Sequence, residues 1–208
     1  MPEPRTGGSV HLMAHLAACR CAVGVAPLPG LGVIELRGSA SELHEIARHL
    51  VGRSPAVGTC VRIRHGWWRS VAPDRALVLA GIGEREALAA DLAELVARRL
   101  DLACADVSEA YAGLVLAGPL AGRLATSPAA RLAAPTIAVP DGDDFWLLVL
   151  PRDRVDDACH VLLVAGRVDG AVAVESRVTE LYYAARSRPA AMAGHPPTNP
   201  TSIGALPS

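Results

Sequence analysis

"ADVSEAYAGLVLAGPLAGRLA", residues 105–125, is the stretch whose reading decides the fold. Asp106 and Ser108 can each close a local turn by hydrogen-bonding their side chains to nearby backbone. The apolar run through Leu114, Val115 and Leu116 then reads as a strand. Gly118 allows a tight exit from it. Pro119 falls at the first turn of a helix, where its missing N–H is not needed. Ala121 and Leu124 follow on the inward side of that helix. Turn, strand and helix succeed one another here, and the pattern is architecture rather than a catalytic device.

Upstream, "CAVGVAPLP" (21–29) and "GLGVIELRG" (30–38) read as extended segments joined at Pro29-Gly30, with Val33, Glu35 and Arg37 alternating against Ile34 and Leu36. "SASELHEIARHL" (39–50) opens on a capping serine and places Leu43, Ile46, Ala47 and Leu50 at helical spacing. "TCVRIRHG" (59–66) alternates as a strand with one basic face. "WWRSVAP" and "RALVLAG" make a hairpin closed at Pro73-Asp74. "EREALAADLAELVARRL" (84–100) is a helix with Leu88, Leu92, Leu95, Val96 and Leu100 on one face; its charges run from acidic to basic, as the helix dipole favours.

Downstream, "LACADVSEAYAGLVLAG" (102–118) holds one short and one longer strand, the first burying Cys104. "DFWLLVL" (144–150) is a strand, "PRDRVDDACHVLLVAG" (151–166) a helix, "GAVAVES" (170–176) a strand and "VTELYYAAR" (178–186) a helix. The order β, β, α, β, β, α, β, β, α, β, α lacks a regular βαβ beat, which favours α+β. Helices that return antiparallel strands to one sheet give split βαβ units, so two ferredoxin-like half-units of antiparallel sheet with packed helices are expected. The domain division that follows is an N-terminal arm (1–24), a folded domain (25–186) and a disordered tail (187–208) too rich in Pro, Ala, Ser and Thr to support a core.

Bulk properties narrow the function classes. The 208 residues are 51% hydrophobic but only 3% aromatic, so the core is built from Ala, Val and Leu. A formal net charge of -1 argues against nucleic-acid or anionic-membrane surfaces. All 20 basic residues are Arg, which removes Schiff-base and P-loop lysine chemistry. The five cysteines are irregularly spaced, as expected of reduced thiols in a cytoplasm, and no apolar run is long enough to span a membrane. "LAAC" (16–19) resembles a lipoprotein lipobox, but the short segment before it carries His11 and His15, which fits a signal sequence poorly.

Several motifs carry a resemblance. The 105–125 stretch is similar to the aspartate-hydroxyl turn, strand and "L-x-L-x-G-P-x-A-x-x-L" helix start of the folate-binding aminomethyltransferase superfamily. That superfamily includes the glycine-cleavage T-protein and the gamma subunit of heterotetrameric sarcosine oxidase. "WWRSVAPDRALVLAG" and "LPGLGVIELRG" look like the gamma subunit's own pattern, and "DFWLLVLPRDRVDDACHVLLVAG" resembles the superfamily's later strand–Pro–helix unit. The likeness spans roughly residues 25–185. It implies the aminomethyltransferase-type fold. It also implies an accessory subunit, with flavin, NAD and folate carried by larger flavoprotein chains and no cofactor firmly bound by this one.

Two departures bear on activity. The family's catalytic aspartate would fall near Arg64 and His65, where there is no carboxylate. Its folate-clasping glutamate would fall in "VPDGDDFW", where Asp141, Asp143 and Asp144 are present but none aligns. A stand-alone tetrahydrofolate-dependent transferase or lyase is the alternative, with Asp106, Asp141, Asp143 or Asp144 as its carboxylate.

Two further candidate sites come from the residues themselves. Arg62, Arg64, His65, Trp67, Trp68 and Arg69 mix the residue types of interface anchors and anion or ring-stacking sites. Adjacent tryptophans on a strand face opposite ways, so at least one is expected to be exposed or covered by a partner. "HLMAHLAACRC" (11–21) puts His11, His15 and Cys19 four apart, with Cys21 beside them. If helical, this is a zinc-like spacing without the usual distant ligands, and a small metal-binding accessory protein is the third reading. Against nucleophilic catalysis, no G-x-S-x-G is present, and Cys159 and His160 point about 100° apart on their helix. Whether the isolated chain self-associates is not readable from the sequence.

Overall fold

Ser39 shows how directly the local code is obeyed. Its hydroxyl accepts from the Glu42 N–H while the Glu42 carboxylate accepts from the Ser39 N–H, a complete capping box. It starts one helix of a chain whose computed structural model describes residues 7–81, 83–97, 99, 101–133 and 137–187. In order these form α1 (Gly7–Cys21), β1 (Val23–Leu28), β2 (Val33–Arg37), α2 (Ala40–Val51), β3 (Cys60–Ile63), β4 (Gly66–Ala72), β5 (Arg75–Ala80) and α3 (Arg85–Val96). There follow β6 (Ala103–Asp106), β7 (Tyr111–Ala117), α4 (Ala121–Ala125), α5 (Pro128–Leu132), β8 (Ile137–Pro140), β9 (Phe145–Pro151), α6 (Val155–Gly166), β10 (Ala171–Ala173) and α7 (Ser176–Ser187).

The strands make two five-stranded sheets, in the orders β3-β4-β5-β2-β6 and β10-β1-β7-β9-β8. In the first, β2, α2, β4, β5, α3 and β6 trace a split βαβ unit, with β3 added at the edge by a hairpin. In the second, β7, β8, β9 and β10 with their helices repeat the plan. Strand β1 inserts between β7 and β10. The α+β expectation with two such units therefore holds. One detail of it does not, because β1 pairs parallel to β10. Inserting a strand antiparallel to β7 leaves β10 on its far side pointing the same way.

The two sheets pack face to face. Val33, Trp67, Leu77 and Leu79 of the first meet Ala26, Val115, Leu147 and Val149 of the second in one buried cluster. Helices cover the outer faces: α2 and α3 lie over Leu36, Trp68 and Val78, and α4, α5 and α6 over Leu114, Leu116 and Leu148. Each central strand is thus buried on both sides, which is why strands such as Leu114–Ala117 read as unbroken apolar runs. Full burial of one such leucine contributes roughly 1.5–3 kcal/mol.

Helix α1 lies within the segment expected as an N-terminal arm. It packs against α7 and β1, and Cys19 in its last turn is fully buried in the inter-sheet cluster. The expectation of a buried Cys104 is overturned. Cys104 sits on β6, an edge strand whose four residues are all exposed, because no layer covers it. "GAVAVES" is strand only over 171–173, and Ser176 already begins α7. The elements α5 and β8 were not expected from the sequence. The tail beyond Ser187 lies outside the described residues, as do Ile82, Arg98 and Leu100.

Candidate functional site

The β3–β4 hairpin puts Arg62 opposite Trp67 on the face turned toward the second sheet. The Arg62 guanidinium stacks over the Trp67 ring, 4.4 Å from its centroid. The same guanidinium donates from Nη1 to Asp141 Oδ1 at 3.2 Å. Asp141 belongs to the turn between β8 and β9 in the second unit. The basic strand and the acidic turn singled out in the sequence therefore meet across the sandwich, 79 residues apart in the chain.

Beside this bridge lies a cavity of about 300 Å³ lined by Asp141, Asp143, Asp144, Phe145, Tyr182 and Tyr183. The rings of Phe145 and Tyr183 pack tilted, 4.8 Å between centroids. The Tyr182 hydroxyl donates to Asp144 Oδ2 at 3.5 Å. Burial, and then contact with the Asp141 carboxylate, push the Tyr183 hydroxyl above its ordinary pKa, with Arg62 opposing. Tyr183 is thus a neutral hydroxyl at physiological pH, and Asp141 is held by a cation. The cavity offers aromatic walls and carboxylates, and no Ser, Cys or His is among the described residues that line it.

The rest of the Arg/Trp group does not form one surface. Trp68 faces the helices, and its Nε1–H donates to Ser70 Oγ at 3.0 Å. Trp67 and Trp68 are 4% and 1% exposed, so the expectation that one needs solvent or a partner is overturned. Both faces of this strand are covered by other parts of the chain. Arg69 donates to the Gly58 carbonyl. Arg64 lines a cavity of about 660 Å³ between α2 and α3, with Glu45, His49, Asp91, Glu94 and Arg99. His65 lies within reach of two α3-side carboxylates, its Nδ1 2.7 Å from Glu84 and its Nε2 3.7 Å from Asp91.

Asp106 is a joint. Its carboxylate accepts from the N–H and hydroxyl of Ser108, and from Arg85 Nη2 at 2.8 Å. The Ser108 bonds, with Arg85 adding to them, draw its pKa down to about 2. Ser108 Oγ in turn accepts from the Val33 N–H of β2, and Arg152 clamps the Ser108 and Glu109 carbonyls. The turn that the sequence marked thus ties β2 of one sheet to the start of β7 in the other. Asp106 is part of that tie and is not among the residues lining the acidic cavity.

For the proposed metal set, Cys19 is buried, burial raises its thiol pKa, and Cys21 is exposed. His15 is half-buried on the same helix, and the His11 side chain lies outside the described residues. Among the described residues no three His, Cys, Asp or Glu side chains are grouped to hold a metal ion. Among them, too, no helix is long and apolar enough to cross a membrane.

Sequence reasoning missed Phe145, Tyr182 and Tyr183 as cavity walls. The adjacent tyrosines of a chain with so few aromatics were the available signal. It also missed Glu35, although the alternation in "VIELR" set it on the face of Val33 and Arg37.

No protein-family profile matches the sequence, and no curated protein matches it. Solved structures do match by fold. The glycine cleavage system aminomethyltransferase T from Bartonella henselae is similar with a TM-score of 0.54 at 15% identity, over 78% of this chain and 50% of that one. A chain of the heterotetrameric sarcosine oxidase from Corynebacterium sp. U-96 is similar with a TM-score of 0.53 at 21% identity, over 82% of this chain and 98% of that one. The chain spans half the length of the aminomethyltransferase and nearly the whole of the sarcosine oxidase chain. The fold is of the kind seen in both.

Proposed function

We propose that the chain is a non-catalytic subunit of a larger flavin- and folate-dependent amine-oxidising complex, where it steadies the chains that carry the cofactors. The observation that carries this reading is the pattern of coverage. The chain matches 98% of one chain of a heterotetramer, but only 50% of the aminomethyltransferase. Side-chain chemistry supports it. The position where the resemblance implies a catalytic aspartate holds Arg64 and His65, the latter set between Glu84 and Asp91. Asp106 is consumed by Ser108 and Arg85, and Asp141 by Arg62.

The competing reading, a stand-alone tetrahydrofolate-dependent transferase or lyase, has the cavity beside Asp141 in its favour. Equilibrium dialysis of the isolated chain against tetrahydrofolate separates the two. A subunit of the proposed kind retains no stoichiometric folate by itself. Saturable retention that is lost in Asp144→Asn would transfer the assignment to the enzyme.

A further inference from the structure

Arg37 and Arg75 stand directly opposite each other on β2 and β5. They share the face of Val33, Glu35, Leu77 and Leu79, the one turned toward the second sheet, because side chains two apart on a strand point the same way. Like charges in that position repel. What holds them is Glu35, only 8% exposed, which takes Arg75 Nε on Oε1 and Arg37 Nε on Oε2, the latter at 3.0 Å. Burial alone would raise the Glu35 pKa. Its bonds to Arg37 and Arg75 outweigh that and lower it, so the carboxylate stays ionised.

One buried carboxylate between two guanidiniums leaves a single positive charge in surplus. A structural ion pair needs only one arginine. Each arginine uses Nε on Glu35, and the edge bearing both terminal amino groups is a different edge of the planar group. Among the described residues those amino groups make no hydrogen bond. The Arg37 and Arg75 side chains are 62% and 37% exposed, so the free edges can be reached from solvent. The neighbouring acid Glu42 is bound by Ser39, and among the described residues no ion pair joins the Asp74 carboxylate to either arginine.

We propose that Arg37 and Arg75, pinned by Glu35, form a binding site for one carboxylate group. The single surplus charge matches a monoanion better than a dianionic phosphate, and the planar fork of a guanidinium matches a planar carboxylate. The carboxylate belongs either to a small organic acid or to an acidic side chain of a partner. The site does not depend on the chain joining a complex.

The test is an NMR titration of the isolated full-length chain, following the arginine Nε–Hε signals. Sodium acetate is compared with sodium chloride at equal ionic strength. Saturable shifts of the Arg37 and Arg75 signals with acetate alone are expected, with affinity falling roughly tenfold or more in Arg37→Gln, which removes a charge-assisted pair. Arg37→Lys keeps the charge and the fold while losing the fork, and it should also bind more weakly. Identical responses to acetate and chloride, or full acetate affinity in both variants, would overturn the proposal. With acetate binding in hand, tagged wild-type and Arg37→Gln chains recovered from the native host distinguish the sources. A partner lost with the variant places the carboxylate on that partner, and a partner retained makes the ligand a small acid.

Discussion

Replacing Gly118 by alanine should cost this chain far more than the removal of a turn glycine ordinarily does. Gly118 leaves β7 at φ +132°, a conformation that side chains rarely adopt. A Cβ there would stand 2.4 Å from the Ala22 carbonyl oxygen and 2.6 Å from that of Cys19. Both atoms are backbone, at the end of α1 and the approach to β1, so no side chain can swing aside. Restoring ordinary contact means separating α1 from β7 by about 0.8 Å. Backbone strain at such a residue costs about 1–3 kcal/mol, and overpacking a similar amount. The sum, about 4 kcal/mol, corresponds to a Tm lower by about 8–16 °C for a domain of this size.

Gly30→Ala is the control. Gly30 has φ +70° but nothing within 4 Å of an added Cβ, so only the left-handed strain of about 1–2 kcal/mol applies. Urea unfolding of both variants, read at unchanged m-value, gives the comparison. If Gly118→Ala is no less stable than Gly30→Ala, α1 is not seated on the sandwich as described.

Other consequences can be measured in the same way. Asp106 has a folded-state pKa of about 2, below its unfolded value, so its stabilising contribution is complete above about pH 4 and is lost as pH falls through about 2. Asp106→Asn should therefore be less stable than wild type near pH 6, the gap closing between pH ~4 and ~2. Arg62 and Asp141 are partly exposed, and a double-mutant cycle should give a coupling of about 0.5–1 kcal/mol that shrinks in high salt; zero coupling at low salt would mean the sheets are not bridged there. Burial pushes the Cys60 thiol up to about 11, so a thiol reagent at mildly alkaline pH should label the exposed Cys21 and Cys104 and leave Cys60 unmodified until unfolding. Rapid native-state labelling of Cys60 would contradict its placement facing the second sheet.

Much of the fold was legible because its signals are local. The capping serine at 39, the Pro73-Asp74 hairpin and the Asp106–Ser108 turn act within a few residues, and each does in the structure what its chemistry requires. The two-unit plan followed from element order. What escaped was long-range. Nothing near "CAVGVAPLP" tells that β1 will insert into the other unit's sheet and run parallel to β10. Trp67 and Trp68 looked too many for one strand because a second sheet covering the far face is not visible in the strand's own alternation. For the same reason the candidate site was legible as parts. Arg62 and the Asp141–Asp144 turn were both noticed, but their meeting depends on how two sheets stack. Short elements such as α5 and β8 carry too few residues to show a period.

The measurement that bears most directly on the proposed role is recovery of the tagged chain from its native host, with the visible spectrum of the purified material recorded. A yellow assembly whose flavin resides on larger chains, in fixed stoichiometry with this one, is the predicted result. A colourless chain recovered alone from cells grown on an amine that demands such an oxidase would contradict the subunit reading.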